Sequence, residues 1–407
     1  NGDGTFANIT ESAGVTNYEW GCSAAFFDYD LDGFLDIYVT NYVNYDSSFH
    51  CPDKSGRPEY CGPKAFTGVP DVLLKNNGNC TFSDVSLLSR IAEIAANGLG
   101  VVSADFNGDS YPDLYVANDA EPNLLWINQR DGTFNDRALE YGLALNELGR
   151  EEASMGVAIG DIENDADFDI FLTHLRGESN TFYRFSEEYG YEDLSAVVGF
   201  GKPDLIGYTG FGTGFLDFDN DGDLDLAVGN GRILRGAALM ENDSVNHWDY
   251  YAEPNQLFEN HNAFFVQTRN PDDAFTANVE TTRGLTFGDI DNDGDIDILA
   301  SNISRLARLY RNEMQNKGNW LIIRAIDPAL KRDAIGAKII VRTENKQYIR
   351  SISPSYSYLS SNDSRVHFGL GSAKNVDEII VEWPGGKIES FPGVQANQII
   401  VLKKGGL

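Results

Sequence analysis

The chain has 407 residues, with 62 acidic side chains against 31 basic ones and a formal net charge of −31. That balance excludes a nucleic-acid backbone as partner, because phosphate binding needs clustered lysine and arginine, and it opposes docking on anionic membranes. No apolar run approaches the roughly 18 residues of a membrane span, while 42% hydrophobic and 12% aromatic residues leave ample material for a core.

In chain order, the opening Asn1 to Phe6 reads as a turn leading into a strand over Thr5 to Thr10. Five acidic segments then share one pattern. Their acidic and amide positions are Asp28, Asp30, Asp32 and Asp36; then Asp105, Asn107, Asp109 and Asp113; then Asp161, Glu163, Asp165, Asp167 and Asp169; then Asp217, Asp219, Asp221, Asp223 and Asp225; and last Asp289, Asp291, Asp293, Asp295 and Asp297. Their first residues are 77, 56, 56 and 72 positions apart. Self-similarity at such a period marks a repeat architecture. A run of small or apolar residues precedes each segment and a β-prone run such as Ile37-Tyr38-Val39 or Leu226-Ala227-Val228 follows it. An N-x-L-x-x-N strand recurs near 71–76, 123–128 and 255–260, and a Thr-Phe strand closes the unit at Thr81-Phe82 and Thr133-Phe134. Four strands per unit, repeated, predict an all-β propeller with an acidic loop between the first two strands of each blade.

The loop chemistry points to a hard cation. Oxygens at positions 1, 3, 5 and 9, with a main-chain carbonyl at position 7 (Phe34 in the first loop, Tyr111 in the second), can wrap an ion that takes roughly six to eight oxygen ligands. An EF-hand is excluded, since position 12 is Val39, Val116, Leu172, Val228 and Ala300, all within strands. The first, fourth and fifth loops match every position. The second has Ser110 where glycine is expected, and the third has Glu163 at position 3 and Ala166 at position 6. The expected cofactor is Ca²⁺, bound by three loops if only the complete ones bind and by five if all do.

After residue 318 the pattern changes to Asn319-Trp320-Leu321, Arg332-Asp333-Ala334-Ile335-Gly336-Ala337, Tyr358-Leu359-Ser360-Ser361-Asn362-Asp363, Arg365 to Gly371 and Val381-Glu382-Trp383-Pro384-Gly385-Gly386. The acidic loops with their strands resemble FG-GAP or VCBS repeats, and the C-terminal series resembles the ASPIC and UnbV domain of cartilage-acidic-protein-like secreted proteins. The resemblance implies a propeller over 1–316 and a small β domain over 317–407, with no catalytic residues attached to either. It also implies seven blades, two more than the five readable here; a five-bladed ring in which Thr5 to Thr10 completes the fifth blade is the competing arrangement.

Cys51 and Cys61 bracket a polar insertion between the second and third strands of the first unit, and a disulfide there is expected. With the calcium loops it points to an extracellular, cell-surface or periplasmic location. Five residues past the last acid of each loop stand Asn41, Asn118, His174, Asn230 and Asn302. They read either as caps on the turns that follow or as a ring lining a binding mouth, in which His174 alone titrates near neutral pH and is the single catalytic candidate. Residues 230–254 add Arg232, Arg235, Trp248 and Tyr250 to that face. No nucleophile elbow, zinc-protease or nucleotide-binding motif is present. The leading expectation is a calcium-stabilised interaction or adhesion protein that binds a protein or a glycan at the insertion face. A polysaccharide lyase or hydrolase and a structural subunit of a surface assembly are the alternatives.

Overall fold

The computed structural model describes residues 2–165, 167–186, 188–239, 246–270, 272–315, 317–344 and 346–406. Asn1, Ala166 and residue 316, the expected end of the repeats, lie outside the described residues.

Each acidic repeat folds as an antiparallel sheet in sequence order. The first sheet comprises Gly21–Phe27, Asp36–Asn41, Val72–Asn76 and Phe82–Asp84. The second, third and fourth begin at Gly98–Ala104, Val157–Gly160 and Gly210–Leu216 and have four strands each, whereas the fifth has three, Thr282–Gly288, Asp297–Asn302 and Arg308–Tyr310. Alternation along the second strand sends successive side chains to opposite faces, and each sheet packs face-on against the next. Tyr38 and Leu73 of the first meet Val116 and Trp126 of the second; Tyr115 and Leu125 of the second meet Ile170 and Tyr183 of the third. Phe171 joins Leu226 and Phe258, and Ala227 joins Leu285 and Phe287. Successive sheets stacked in this way form a β-propeller. The small residues before each acidic loop follow from the geometry: a Cβ on Gly156 would lie 2.0 Å from Phe211 O, so neighbouring first strands leave no room for a side chain.

The two outermost faces are open. The residue two places past the last loop acid (Tyr38, Tyr115, Phe171, Ala227) is buried against the following sheet in the first four units, but its counterpart Leu299 is 44% exposed and its cross-strand neighbour Leu309 55%. Likewise Phe215 and Phe287 are buried against the preceding sheet, while the equivalent Phe26 is 49% exposed. The opening segment does not complete the fifth sheet: Thr5 to Ile9 form no strand, and Phe6 is 97% exposed where its counterpart Phe134 is buried.

From Asn319 two four-stranded sheets form a sandwich around Ile323, Ile339, Val341, Phe368, Val381 and Trp383. Between its strands Gln347–Ser351 and Val366–Gly371, one irregular segment runs along the propeller axis and bonds to the first strand of every sheet. Leu359 N donates to Ser23 Oγ (3.2 Å), Ser353 Oγ to Ser103 O (3.0 Å) and Thr213 N to Ser357 Oγ (3.1 Å). Ser357 and Val157 exchange two main-chain bonds, and Phe287 N donates to Asn362 Oδ1 (2.9 Å). Tyr356 stacks on Phe287 and Tyr358 meets Phe211 edge-on.

Candidate functional site

The acidic loops lie at one end of the sheets, and three of them gather carboxylates. One oxygen from each of Asp28, Asp30 and Asp32 lies within 4.8 Å of the others, as do those of Asp217, Asp219 and Asp225, and of Asp289, Asp291 and Asp297. These are the three loops whose sequence is complete; among the described residues the second and third do not form such a group. In the complete loops the first Asp uses Oδ2 to accept the position-6 N–H, from Gly33 (3.0 Å), Gly222 (2.9 Å) and Gly294 (3.0 Å). The other oxygens, Asp28 Oδ1 and Asp217 Oδ1, are buried and accept no hydrogen bond among the described residues. A buried acceptor without a donor is costly and calls for a cation or water.

The last acid of each loop is a clip that sequence reasoning took only as a ligand. Asp36 accepts from Tyr29 N and Asn76 N, Asp113 from Phe106 N and Asn128 N, Asp225 from Phe218 N and Asn260 N, and Asp297 from Ile290 N and Asn312 N. Asp169 does the same with Ile162 N and Phe185 N. Each clip ties the loop to the third strand, and the recurring terminal Asn of N-x-L-x-x-N was its signal. Burial pushes these carboxyls up, Asp36 to about 7 and Asp113 and Asp169 to about 8. Asp28 rises to about 6, with Arg332 opposing the effect of burial, and burial takes Asp217 to about 7.

The C-terminal sandwich covers this face. Arg332 Nη2 lies 3.1 Å from Asp28 Oδ2, Arg365 donates to Asp289 O (2.6 Å) and Asn292 Oδ1 (2.7 Å), and His367 Nε2 is 3.1 Å from Gly294 O. Arg350 is buried beside Asp217. At position 6 the backbone has φ of 96°, 102° and 95° at Gly33, Gly222 and Gly294. A Cβ there would strike Leu330, Tyr348 and Trp320 of the sandwich, so glycine serves both the bend and the close approach. Ser110 is accommodated in the second loop, at φ 69°, because the residue facing it is Gly386.

The Asn and His positions past each loop do not line an open mouth. Asn41, Asn118, His174 and Asn230 are buried. Asn41, Asn118 and Asn230 donate to Pro70 O, Pro122 O and Pro254 O, while their own N–H groups bond to Asp71, Asn123 and Asn255. Asn302 donates to Glu280 Oε2 and Leu306 O. They cap the turns leading to the third strands. His174 Nε2 is 2.9 Å from Thr181 Oγ1 and 3.7 Å from Glu152 Oε2, and burial lowers its pKa to about 4, so it is neutral at physiological pH and does not titrate there as an exposed histidine would. Between pH 6.5 and 4 the unfolded chain therefore binds a proton that the folded one refuses; this stability is complete above 6.5 and lost as pH falls through about 4. His174→Gln is expected to flatten the acid limb of a stability–pH curve by roughly 2–3 kcal/mol at pH 4. An unchanged limb in denaturant titrations would place the acid sensitivity elsewhere.

Arg232 is likewise internal, pairing with buried Glu253 at 2.9 Å. The remaining insertion residues form a surface. Cys51 and Cys61 are bridged, and the loop they close reaches the insertion of the fourth sheet. Glu59 accepts from Tyr251 OH (2.6 Å) and Arg235 N (3.3 Å), Tyr60 stacks on Trp248 at 6.2 Å, and Arg235 lies over Tyr250. Tyr45, Phe49 and Tyr60 are exposed.

Residues 105–172 match the family model for an FG-GAP-like repeat. Residues 327–406 match ASPIC and UnbV. The two matches fall on the second and third repeats and on the C-terminal sandwich. It is 26% identical over 388 residues to cartilage acidic protein 1 of Xenopus tropicalis, covering 92% of this chain and 53% of the relative. It is 25% identical to that of Mus musculus over 94% of this chain and 54% of the relative, so the chain spans about half the length of the curated relatives it matches. Among solved structures, an Agrocybe aegerita lectin recognising non-reducing terminal N-acetylglucosamine aligns at 15% identity and TM-score 0.40, over 77% of this chain and 73% of the lectin. The Vibrio cholerae biofilm matrix protein Bap1 aligns at 11% and 0.36, over 93% and 60%. Among the described residues no helix is long and apolar enough to cross a membrane.

Proposed function

We propose that this is an extracellular calcium-stabilised propeller that presents a binding face for a protein or glycan. The observation that carries the binding role is the surface built by two insertions 192 residues apart in sequence at the Glu59–Tyr251 bond, with Tyr60, 55% exposed, stacked on Trp248. Aromatic rings held flat and half exposed serve protein hot spots and sugar platforms alike. The Cys51–Cys61 bridge suits an oxidising compartment. Binding of the full chain to a glycan panel and to extracellular-matrix extracts is expected to fall at least tenfold in Tyr60→Ala/Trp248→Ala, with the thermal transition nearly unmoved; retained binding by a folded double variant would remove the face from this role.

Calcium is the ion the donor set fits. Carboxylates alone, gathered about a buried oxygen without a donor, suit a hard cation rather than zinc or copper. Asp28, Asp30, Asp32 and Asp36 with Phe34 O would hold it in the first loop, and the fourth and fifth loops would do so likewise. The second and third are weaker sites in this reading. The ion neutralises carboxylates that otherwise repel and lack solvent. The domains are read as repeats to 316 and a β domain from 317 that work as one unit. The open faces at Leu299, Leu309 and Phe26 are the ones neighbouring sheets cover elsewhere, which supports a ring continued by further units of the same kind, seven in all as the resemblance implies.

A further inference from the structure

We infer that basic side chains set the residual charge of each acidic loop and thereby its preference for cation valence, with Arg332 and Lys75 as the specificity-determining residues of the first loop. The inference rests on reading the loops as cation sites and adds what selects the ion. In the first loop the four carboxylates of Asp28, Asp30, Asp32 and Asp36 meet two cations: Lys75, paired with Asp30 and 3.6 Å from Asp32 Oδ2, and Arg332 on Asp28. Two negative charges remain, the charge of one divalent ion. The second loop reaches the same remainder by another route. It has three carboxylates, Asp105, Asp109 and Asp113, and one cation, Arg130, 2.8 Å from Asp109 Oδ2.

The fourth and fifth loops carry a fifth carboxylate at position 7, Asp223 and Asp295, where the first two have Phe34 and Tyr111. Lys346 lies 3.5 Å from Asp223, and the buried Arg350 lines one cavity with Asp217 and with Asp161 of the third loop, which share it; Arg311 is 3.2 Å from Asp291 and Lys317 pairs with Asp295. Arg365 and Arg311, which both reach the fifth loop, are offset by Asp363 and Glu313. Among the described residues the fourth loop therefore keeps at least three negative charges and the fifth keeps four, against two in each of the first two loops. Arg332 is the poorly screened cation of the first loop, its side chain 17% exposed and that of Asp28 6%, whereas Lys75 is 34% exposed and should act more weakly. A unit charge a few ångströms from an ion in such surroundings changes a trivalent ion's affinity more than a divalent ion's, by about tenfold or more.

The test titrates terbium against calcium on the metal-stripped full chain, with luminescence for affinity and native mass spectrometry for the number of ions. Arg332→Gln is expected to raise the terbium-over-calcium preference of one site about tenfold and leave the others unchanged, with Arg332→Lys close to the parent. Lys75→Gln should shift the same site in the same direction, although its ion pairs lie within the first loop and not with the C-terminal sandwich. If both glutamine variants bind the same number of ions with an unchanged preference, the charge account is wrong. A shift in Arg332→Gln alone would assign Arg332 to docking and also overturn it. If the parent binds neither ion, the cation reading itself fails.

Discussion

Chelation of calcium is expected to lower the melting temperature of the full chain by roughly ten degrees or more. A ligand at a hundredfold excess over its dissociation constant stabilises by about 2.7 kcal/mol per site, so the three complete loops together supply about 8 kcal/mol, comparable to the whole stability of an ordinary domain. The structure also changes the expected shape of the transition. From sequence, the part beyond Asn319 has no acidic loop and should respond little to a chelator. In the fold it rests on the loops themselves, through Arg332 on Asp28, Arg365 on Asp289 O and Trp320 over Gly294. One shared transition should therefore move as a whole. Calorimetry resolving two transitions, with only the first sensitive to chelator, would show that the sandwich melts independently.

The second large effect is expected from the axis segment. Tyr356→Ala or Tyr358→Ala removes a half-buried ring packed on Phe287 or Phe211, and truncations of this kind cost up to about 3 kcal/mol. Because the segment bonds to all five sheets, the loss should spread: amide hydrogen exchange is expected to accelerate in Val157–Gly160, Gly210–Leu216 and Thr282–Gly288 together. Acceleration confined to 353–363 would mean that the segment fills the axis without holding the sheets.

Both effects depend on features of unequal visibility in the sequence. The loops were legible because their chemistry recurs within nine residues, and the sheets because an apolar or small run flanks every loop on both sides. The clip made by Asp36 and its counterparts was half legible: the invariant last acid looked like a ligand, while the Asn 15 to 40 residues onward that meets it looked like a strand end. The sandwich contacts were not legible at all. Arg332, Arg350 and Arg365 sit in strands or turns of another sheet system, and nothing local marks an arginine as the partner of an aspartate 304 residues away. The Asn and His positions left two readings open, turn cap or binding ring, for a related reason. A polar residue repeated at one register identifies a shared role but not whether it faces solvent, and here Asp71, Asn123 and Asn255 show that the shared role is turn closure. Nor does anything local mark Tyr356 and Tyr358 as axis residues; they pack on Phe287 and Phe211 because the segment between two sandwich strands is long enough to reach the first strands of the sheets.

The central claim is that divalent ions occupy the acidic loops and hold the propeller and the sandwich together. Anomalous diffraction from crystals grown in calcium tests it most directly. The account predicts peaks within about 2.3–2.6 Å of Asp28 Oδ1, of Asp217 Oδ1 and of the Asp289 carboxylate, with Arg332 still on Asp28. Well-ordered loops without anomalous density, their carboxylates joined only by Lys75, Arg332 and water, would contradict it.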